Sequence, residues 1–363
     1  MENDSQPAEH HALQKLTRIA ESTEHFSDFK ICAGEGVLVC NAGGWEHLGA
    51  ESFSLAEIEY ILQSIDKDWA QHIVTGKLNH SYQTESWRLR ISPFMAYGGK
   101  RPTIMARRIP RTPLPLTKTG LPLSARMFTE HKGGLVLVSG PTGAGKTSTI
   151  ASLIDTINDA RSAHIYTIEE SIEYLFVPKN SNFSQRELGP DTPSFFDGVR
   201  EAMRHRPQVI VIGEIRDRET AATALLAGES GHLVMATLHA NSAYATIQKM
   251  MSFFPGEAEV RMPSFQSSLI GIINQQMLPH KEGKRSVLAS EVMFNHKQQF
   301  VNVFNDHAKL TDAIERSEDR VSYGMATSIA DLVKNNHVTK ADALSETITN
   351  PMLYKRLSTI LGK

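Results

Sequence analysis

Residues Gly140-Pro-Thr-Gly-Ala-Gly-Lys146-Thr147 spell G-x-x-x-x-G-K-T, the pattern of a phosphate-binding loop. The chemistry follows from the residue types. Glycines let successive backbone N–H groups turn inward around phosphate oxygens, and a helix N-terminus behind them adds the positive end of its dipole. The lysine reaches the β- and γ-phosphates, and the hydroxyl after it binds Mg²⁺. Nucleotide contacts therefore fall on Gly140, Pro141, Thr142, Gly143, Ala144, Gly145, Lys146, Thr147 and Ser148, with Thr147 on the metal. Alone, the loop fits a motor, a kinase or a switch.

Such a loop works only between a strand and a helix. Leu135-Val-Leu-Val138 is a short apolar strand, and Thr147 to Asn158 reads as a helix with Ile150, Leu153, Ile154 and Ile157 on one face. Strands and helices then alternate. His164–Ile168 is followed by an insertion, a helix near Phe195–Met203, the strand Val209–Ile212, a helix from Arg218 and the strand Leu233–Thr237. A helix around Ser264–Gln276, a strand Val287–Phe294 and a few helices beyond 296 complete the pattern. The order predicts an α/β domain with a mostly parallel sheet covered on both faces.

In a parallel sheet, ligands sit outside the carboxyl ends of the strands. Glu169, Glu170 and Glu173 follow one strand, Glu214 another, and His239 a third, so loop, acids and histidine are expected on one edge. Glu214 suits a metal-bound or attacking water. Glu169 and Glu173 suit a general base or water orienter, or else are surface acids in salt bridges. His239 stands at the productive end of its strand, whereas His232 stands at the other end, where a structural role is expected. Neither histidine belongs to H-E-x-x-H, so no zinc site is predicted.

Ahead of this domain the signals differ. Residues 1 to about 25 are polar, with no secretory signal, and read as frayed or helical. Phe29–Val39 suggests two strands around a turn, Ser54-Leu-Ala-Glu57 has capping-box spacing, and Trp87–Ile91 and Thr103–Ile109 alternate as strands around Gly98-Gly99. Residues 1–109 are thus expected as a small α+β domain. A proline-rich linker follows over 110–120, with Pro110, Pro113 and Pro115, and then the nucleotide domain over 121–363. Arg88, Arg90, Arg101, Arg107 and Arg108 cluster on the two long strands, and an arginine at the γ-phosphate assists phosphoryl transfer. A net charge of −2, with no basic or aromatic run, argues against nucleic acid as a partner. The two cysteines, Cys32 and Cys40, suit a reducing cytoplasm, and the apolar runs are too short to span a bilayer.

As a set, these motifs resemble the secretion-superfamily hexameric ATPases, nearest the PilT-like pilus-retraction ATPases and the DotB/TraJ-type ATPases of type IV secretion and conjugation. The Walker A box is Gly140–Thr147, the acidic box Thr167-Ile-Glu-Glu-Ser-Ile-Glu173, the atypical Walker B Ile210-Val-Ile-Gly-Glu-Ile-Arg-Asp217, and the histidine box Gly231-His-Leu-Val-Met-Ala-Thr-Leu-His239. Trp87-Arg88 and Arg107-Arg-Ile-Pro110 match the arginine-bearing strands of the family's N-terminal domain. The resemblance implies a PAS-like N-terminal domain, a RecA-like P-loop domain, ATP with Mg²⁺, a homo-hexamer, and domain movement driven by hydrolysis. It implies site roles for Glu169, Glu173, Glu214 and His239, reinstates His232, and suggests arginine contributions from Arg88 and Arg101 or Arg107. The partner it implies is the inner-membrane platform of a pilus or of a secretion or transfer system, engaged from the cytoplasm. Three departures keep both machines open: Glu170-Ser171 replaces Asp-Pro, Ala240 stands where pilus motors carry threonine, and no Ala-Ile-Arg-Asn-Leu-Ile follows Phe294. The competing class is a RecA-like nucleic-acid translocase or helicase.

Overall fold

The structure is a computed structural model and describes residues 6–75, 80–283 and 285–362. Its packing divides the chain into two units, Met1–Thr112 with Glu282–Ser286, and Pro113–Lys281 with Val287–Lys363.

The first unit contains α1 (Gln6–Ala20), β1 (Asp28–Cys32), β2 (Gly36–Asn41), β3 (Gly44–Ser52), α2 (Leu55–Ile65), α3 (Trp69–Thr75), β4 (His80–Gln83), β5 (Trp87–Ala96) and β6 (Arg101–Pro110). The strands form one sheet, β3-β2-β1-β6-β5-β4, antiparallel at every step. Helix α2 starts where its capping box predicts. The Glu57 N–H donates to Ser54 Oγ (3.2 Å) and the Ser54 N–H to Glu57 Oε2 (2.7 Å). Its Ile58, Ile61 and Leu62 pack with Leu16 and Ile19 of α1 on Phe29, Ile31, Leu89, Ile91 and Ile104 of the sheet. Strands β3 and β4 escape the sequence reading because both are edge strands whose side chains stay largely exposed, leaving little apolar alternation. Of the polar N-terminal stretch, residues 1–5 lie outside the described residues.

Arg108 stands apart from the other arginines of β5 and β6. Its guanidinium is buried and donates to the carbonyls of Ala20 (3.1 Å), Ser22 (3.0 Å), Glu24 (2.8 Å) and Phe26 (2.7 Å). It also lies over the rings of Phe26 (3.5 Å) and Trp87 (4.4 Å). Burial pushes its pKa down to about 10, with Glu21 opposing, so it stays charged at neutral pH.

The second unit contains β7 (Gly134–Ser139), α4 (Lys146–Ala160), β8 (His164–Glu169), β9 (Asn182–Glu187), α5 (Phe195–Ala202), β10 (Val209–Ile212), α6 (Arg218–Glu229), β11 (Leu233–Leu238), α7 (Ala243–Ser252), α8 (Ala258–Ser268), β12 (Leu269–Pro279), β13 (Ser286–Phe294), α9 (His307–Glu315), α10 (Met325–Lys334), α11 (Lys340–Thr347) and α12 (Pro351–Ile360). The sheet order is β13-β12-β7-β11-β10-β8-β9, parallel from β12 through β9. Period-two alternation divides β7 between two cores. Val136 and Val138 pack with Ile150, Leu153, Ile154 and Ile157 of α4, while Leu135 and Leu137 share a core with α5, α6, α7 and α8. Both faces are covered, which is why these strands read as continuous apolar runs. Helices α10–α12 pack on Leu278 and Ala289 of β12 and β13.

Two expectations change here. The helix placed over Ser264–Gln276 is instead the end of α8 and most of the parallel strand β12. Apolar spacing in Leu269-Ile-Gly-Ile-Ile suits either period, and tertiary packing decides. A Cβ on Gly271 would lie 2.1 Å from the Met293 carbonyl of β13, so glycine is required where the backbones of β12 and β13 approach so closely. The proline-rich stretch is also partly folded: Leu116 and Leu121 are buried in the α4-side core, and the second unit begins at Pro113.

All three tryptophans (Trp45, Trp69 and Trp87) lie in the first unit, so their fluorescence reports its unfolding alone. Arg108→Ala leaves four carbonyls without their donor and is expected to destabilise that unit by about 3 kcal/mol in a urea titration. An unchanged midpoint would show that the guanidinium does not anchor the 20–26 segment.

Candidate active site

Parallel register sets the site. Ser139 of β7 pairs with Leu238 of β11, Ala236 of β11 with Ile212 of β10, and Ile212 with Ile168 of β8. The phosphate loop, His239, Glu214 and Glu169 therefore leave one edge in that spatial order. Neighbouring strands lie about 4.8 Å apart, so the row spans roughly 14 Å.

The loop is held from behind by β12. Gly140 has φ +146°, and a Cβ there would meet the Gln275 carbonyl at 2.4 Å, so no other residue fits without displacing backbone. Gln275 Nε2 donates to Thr149 Oγ1 (2.8 Å) on α4. Asn274 Nδ2 donates both to Ser139 Oγ (2.9 Å) and to the Ala240 carbonyl (2.9 Å) beyond His239, and the Thr246 hydroxyl donates to Ser139 Oγ (2.7 Å). This buried polar clamp joins the loop strand to the His239 turn. It was hidden from the sequence because Asn274 and Gln275 lie on the strand taken for a helix.

Lys146 is half-buried, and its Nζ donates to the carbonyls of Gly140 (2.9 Å) and Pro141 (2.9 Å). Burial lowers its pKa, while the Glu214 carboxylate acts in the opposite direction. Glu214 bridges Arg216 and His239. Arg216 Nη2 lies 2.7 Å from Oε2, and His239 Nε2 lies 3.3 Å from Oε1. Arg216 also reaches Glu170 (3.0 Å), and its two carboxylate partners raise its pKa. Sequence reasoning assigned Arg216 no role, although it lies two residues past Glu214.

Glu169 closes β8. Its Oε1 accepts from the Thr167 hydroxyl (2.7 Å) and from Gln185 Nε2 (3.3 Å). Burial raises its pKa, and these hydrogen bonds, together with one from the Glu173 N–H, only partly offset that. Gln185 comes from β9, an edge strand too polar to show in the sequence. The segment after β8 folds back over α4: the Tyr174 hydroxyl lies 2.8 Å from Ser148 Oγ, and Asn158 Nδ2 donates to the Val177 carbonyl (2.9 Å). This return carries Glu173, adjacent to Tyr174, toward the first turn of the loop helix.

His232 is not brought to this edge. His232 precedes β11, roughly 20 Å along the strand from His239, and its Nδ1 donates to the Pro207 carbonyl (2.7 Å). The strand between them forces that separation, so His232 is no member of the loop site. Arg88, Arg101 and Arg107 lie on the sheet of the first unit. There Arg88 donates to Ser81 Oγ (3.0 Å), Arg101 lies 4.8 Å over the Tyr97 ring, and Arg107 pairs with Asp28 (2.8 Å).

Residues 77–344 match the family described as Type II/IV secretion system protein. The chain belongs to this family. It is a secretion-superfamily motor ATPase. It is 35% identical over 255 residues to the twitching motility protein of Neisseria gonorrhoeae, a match covering 69% of this chain and 68% of that one. It is 39% identical over 187 residues to the type IV pilus retraction ATPase PilT of Pseudomonas aeruginosa, covering 52% and 54%. Among solved structures, the ATPase resembles the pilus retraction motor PilT with bound ADP, with a TM-score of 0.79 and 33% identity over 95% of this chain and 98% of that one. The Legionella pneumophila ATPase DotB shares the fold, with a TM-score of 0.77 and 23% identity over 94% and 95%.

Beside the loop, a cavity of about 470 Å³ runs from Gly140 and His239 to the C-terminal helices and is lined by Glu291 of β13. The Ala243 N–H donates to Glu291 Oε2 (2.7 Å). Burial, and after it Glu315, push the Glu291 carboxyl up to about 7 from an ordinary 4.5, against Ala243 and Arg356. A group that holds its proton more tightly when folded contributes its full stability below 4.5 and loses it as pH rises through 7. Glu291→Gln keeps the acceptor and never ionises. Its melting temperature is expected to gain on that of the wild type as pH rises from 5 to 8, by the equivalent of about 2 kcal/mol. A difference that does not change with pH would show that Glu291 does not titrate in this range.

Proposed function

We propose that this chain hydrolyses ATP to ADP and phosphate as a cytoplasmic homo-hexamer that drives the inner-membrane platform of a pilus or of a secretion or transfer apparatus. The observation that carries the reading is the row of Lys146, His239 and Glu214 on the loop edge, where parallel register brings the strand ends together and His239 Nε2 lies 3.3 Å from Glu214 Oε1. Among the described residues no helix is long and apolar enough to cross a membrane. Relatives named for twitching motility and pilus retraction support the pilus, and the shared fold with DotB keeps a transfer apparatus open.

The residues fit a magnesium nucleotide. Among the described residues no three His, Cys, Asp or Glu side chains form a metal cage. Thr147, exposed in the first turn of α4, offers a single hydroxyl, which suits a cation that keeps waters and phosphate oxygens as its other ligands. When bound, Mg²⁺ neutralises phosphate charge. Lys146 holds the β- and γ-phosphates, and the loop N–H groups cradle them. Glu214 orients the attacking water, positioned by Arg216 and His239. Glu169 and Glu173 hold the acidic side of the site, where the raised pKa of Glu169 makes it the stronger proton acceptor. Arg88, Arg101 and Arg107 are the candidates for stabilising transition-state charge.

A mutational series tests these roles. Lys146→Ala is expected to abolish ATP binding and turnover in a folded protein, and full turnover would sink the site assignment. Glu214→Gln is expected to keep ATP affinity while kcat falls about 100-fold or more. Alanine at an acting arginine lowers kcat with affinity kept, whereas unchanged kcat at all three positions removes the arginine role. Sedimentation of the ATP-bound protein at a mass other than six chains would overturn the ring.

A further inference from the structure

The edge of the central sheet opposite the phosphate loop carries a second cavity, of about 610 Å³. Lys132, Arg161, Arg206 and His232 line it, with Met203 and Pro207 as apolar wall, and no carboxylate lines it among the described residues. The four basic groups come from four separate places: the approach to β7, the C-cap of α4, and the turns before β10 and β11. Their convergence is a product of the fold, not of a charged run in the sequence.

Two features of the cavity call for an acceptor. Arg161 Nη2 donates to the His131 carbonyl (3.0 Å), but its Nε is buried with no hydrogen-bond partner. A guanidinium nitrogen held away from water without a partner costs free energy that an oxyanion would recover. None of Lys132, Arg161 and Arg206 pairs with a carboxylate among the described residues. Arg206 is moreover held at φ +52°, ψ +47°, a left-handed backbone that a non-glycine residue adopts at a cost and that brings its side chain to this cavity. The carbonyl of Pro207 can only accept, so His232 Nδ1 carries the ring hydrogen, and that bond fixes the ring at the cavity wall.

We propose that this cavity is an oxyanion site, distinct from the phosphate loop, that binds a phosphate or carboxylate group through Lys132, Arg161 and Arg206, with the His232 ring at its wall. The group comes either from a free small anion or from an acidic side chain of a second copy of this chain. Met203 and Pro207 give it an apolar wall, so an anion with an organic body fits better than a bare ion.

The test uses the full chain with its loop saturated by Mg-ADP and its histidines carbon-13 labelled at Cε1, with the His232 resonance assigned through His232→Gln. Inorganic phosphate is titrated at constant ionic strength. The His232 resonance is expected to shift saturably, and in the double variant Lys132→Gln/Arg206→Gln the midpoint should rise at least tenfold with ATPase activity unchanged. The same shift persisting in Lys146→Ala separates this site from the loop. If the acidic group belongs to a second copy, the resonance instead follows protein concentration, and the double variant removes that dependence. A His232 resonance indifferent to both phosphate and protein concentration, or one that responds equally in the double variant, overturns the proposal.

Discussion

Parallel pairing makes the strands of the central sheet end together, and everything chemical in this protein depends on that. Because β7, β11, β10 and β8 run in register, the loop, His239, Glu214 and Glu169 cannot avoid one another. The same constraint sends His232 to the opposite edge, although it belongs to the same sequence box as His239. One strand thus serves two edges, and the fold allots its two histidines to different environments.

The loop edge holds charge in three ways. Arg216 neutralises Glu214 and Glu170 at the surface, where the pairs are partly screened and are worth little as stability. Glu169 is held by neutral donors, Thr167 and Gln185, so burial leaves it a readier proton acceptor. Lys146 is desolvated, which lowers its pKa, and Glu214 opposes this only in part. Behind them the Asn274–Ser139–Thr246 contacts and the Gln275 carbonyl keep the loop strand and the His239 turn from moving independently.

The first unit shows the opposite use of a charged side chain. Arg108 is buried, fully engaged with backbone carbonyls and stacked between rings, and so orders the 20–26 segment against the sheet. Arg101 and Arg107, by contrast, are about half exposed and pair at the surface with Glu35 and Asp28.

By itself, the sequence determined the phosphate loop, its flanking strand and helix, the α2 cap, and the strand ends that deliver Glu169, Glu214 and His239. These are local patterns, in which periodicity and turn chemistry act over a few residues. The sequence also carried the family, because the four boxes survive as contiguous motifs. Only the tertiary structure decided that 269–279 is a strand, since its apolar run satisfies either period and the choice rests on pairing with β7 and close approach to β13. That decision placed Asn274 and Gln275 behind the loop. Edge strands β3, β4 and β9 were illegible for the same reason in reverse, because a strand exposed on one side needs no apolar alternation. The meeting of Gln185 with Glu169, of Tyr174 with Ser148, and of four basic groups around His232 joins residues far apart in the chain. No local pattern encodes such meetings; they follow from which strand lies beside which.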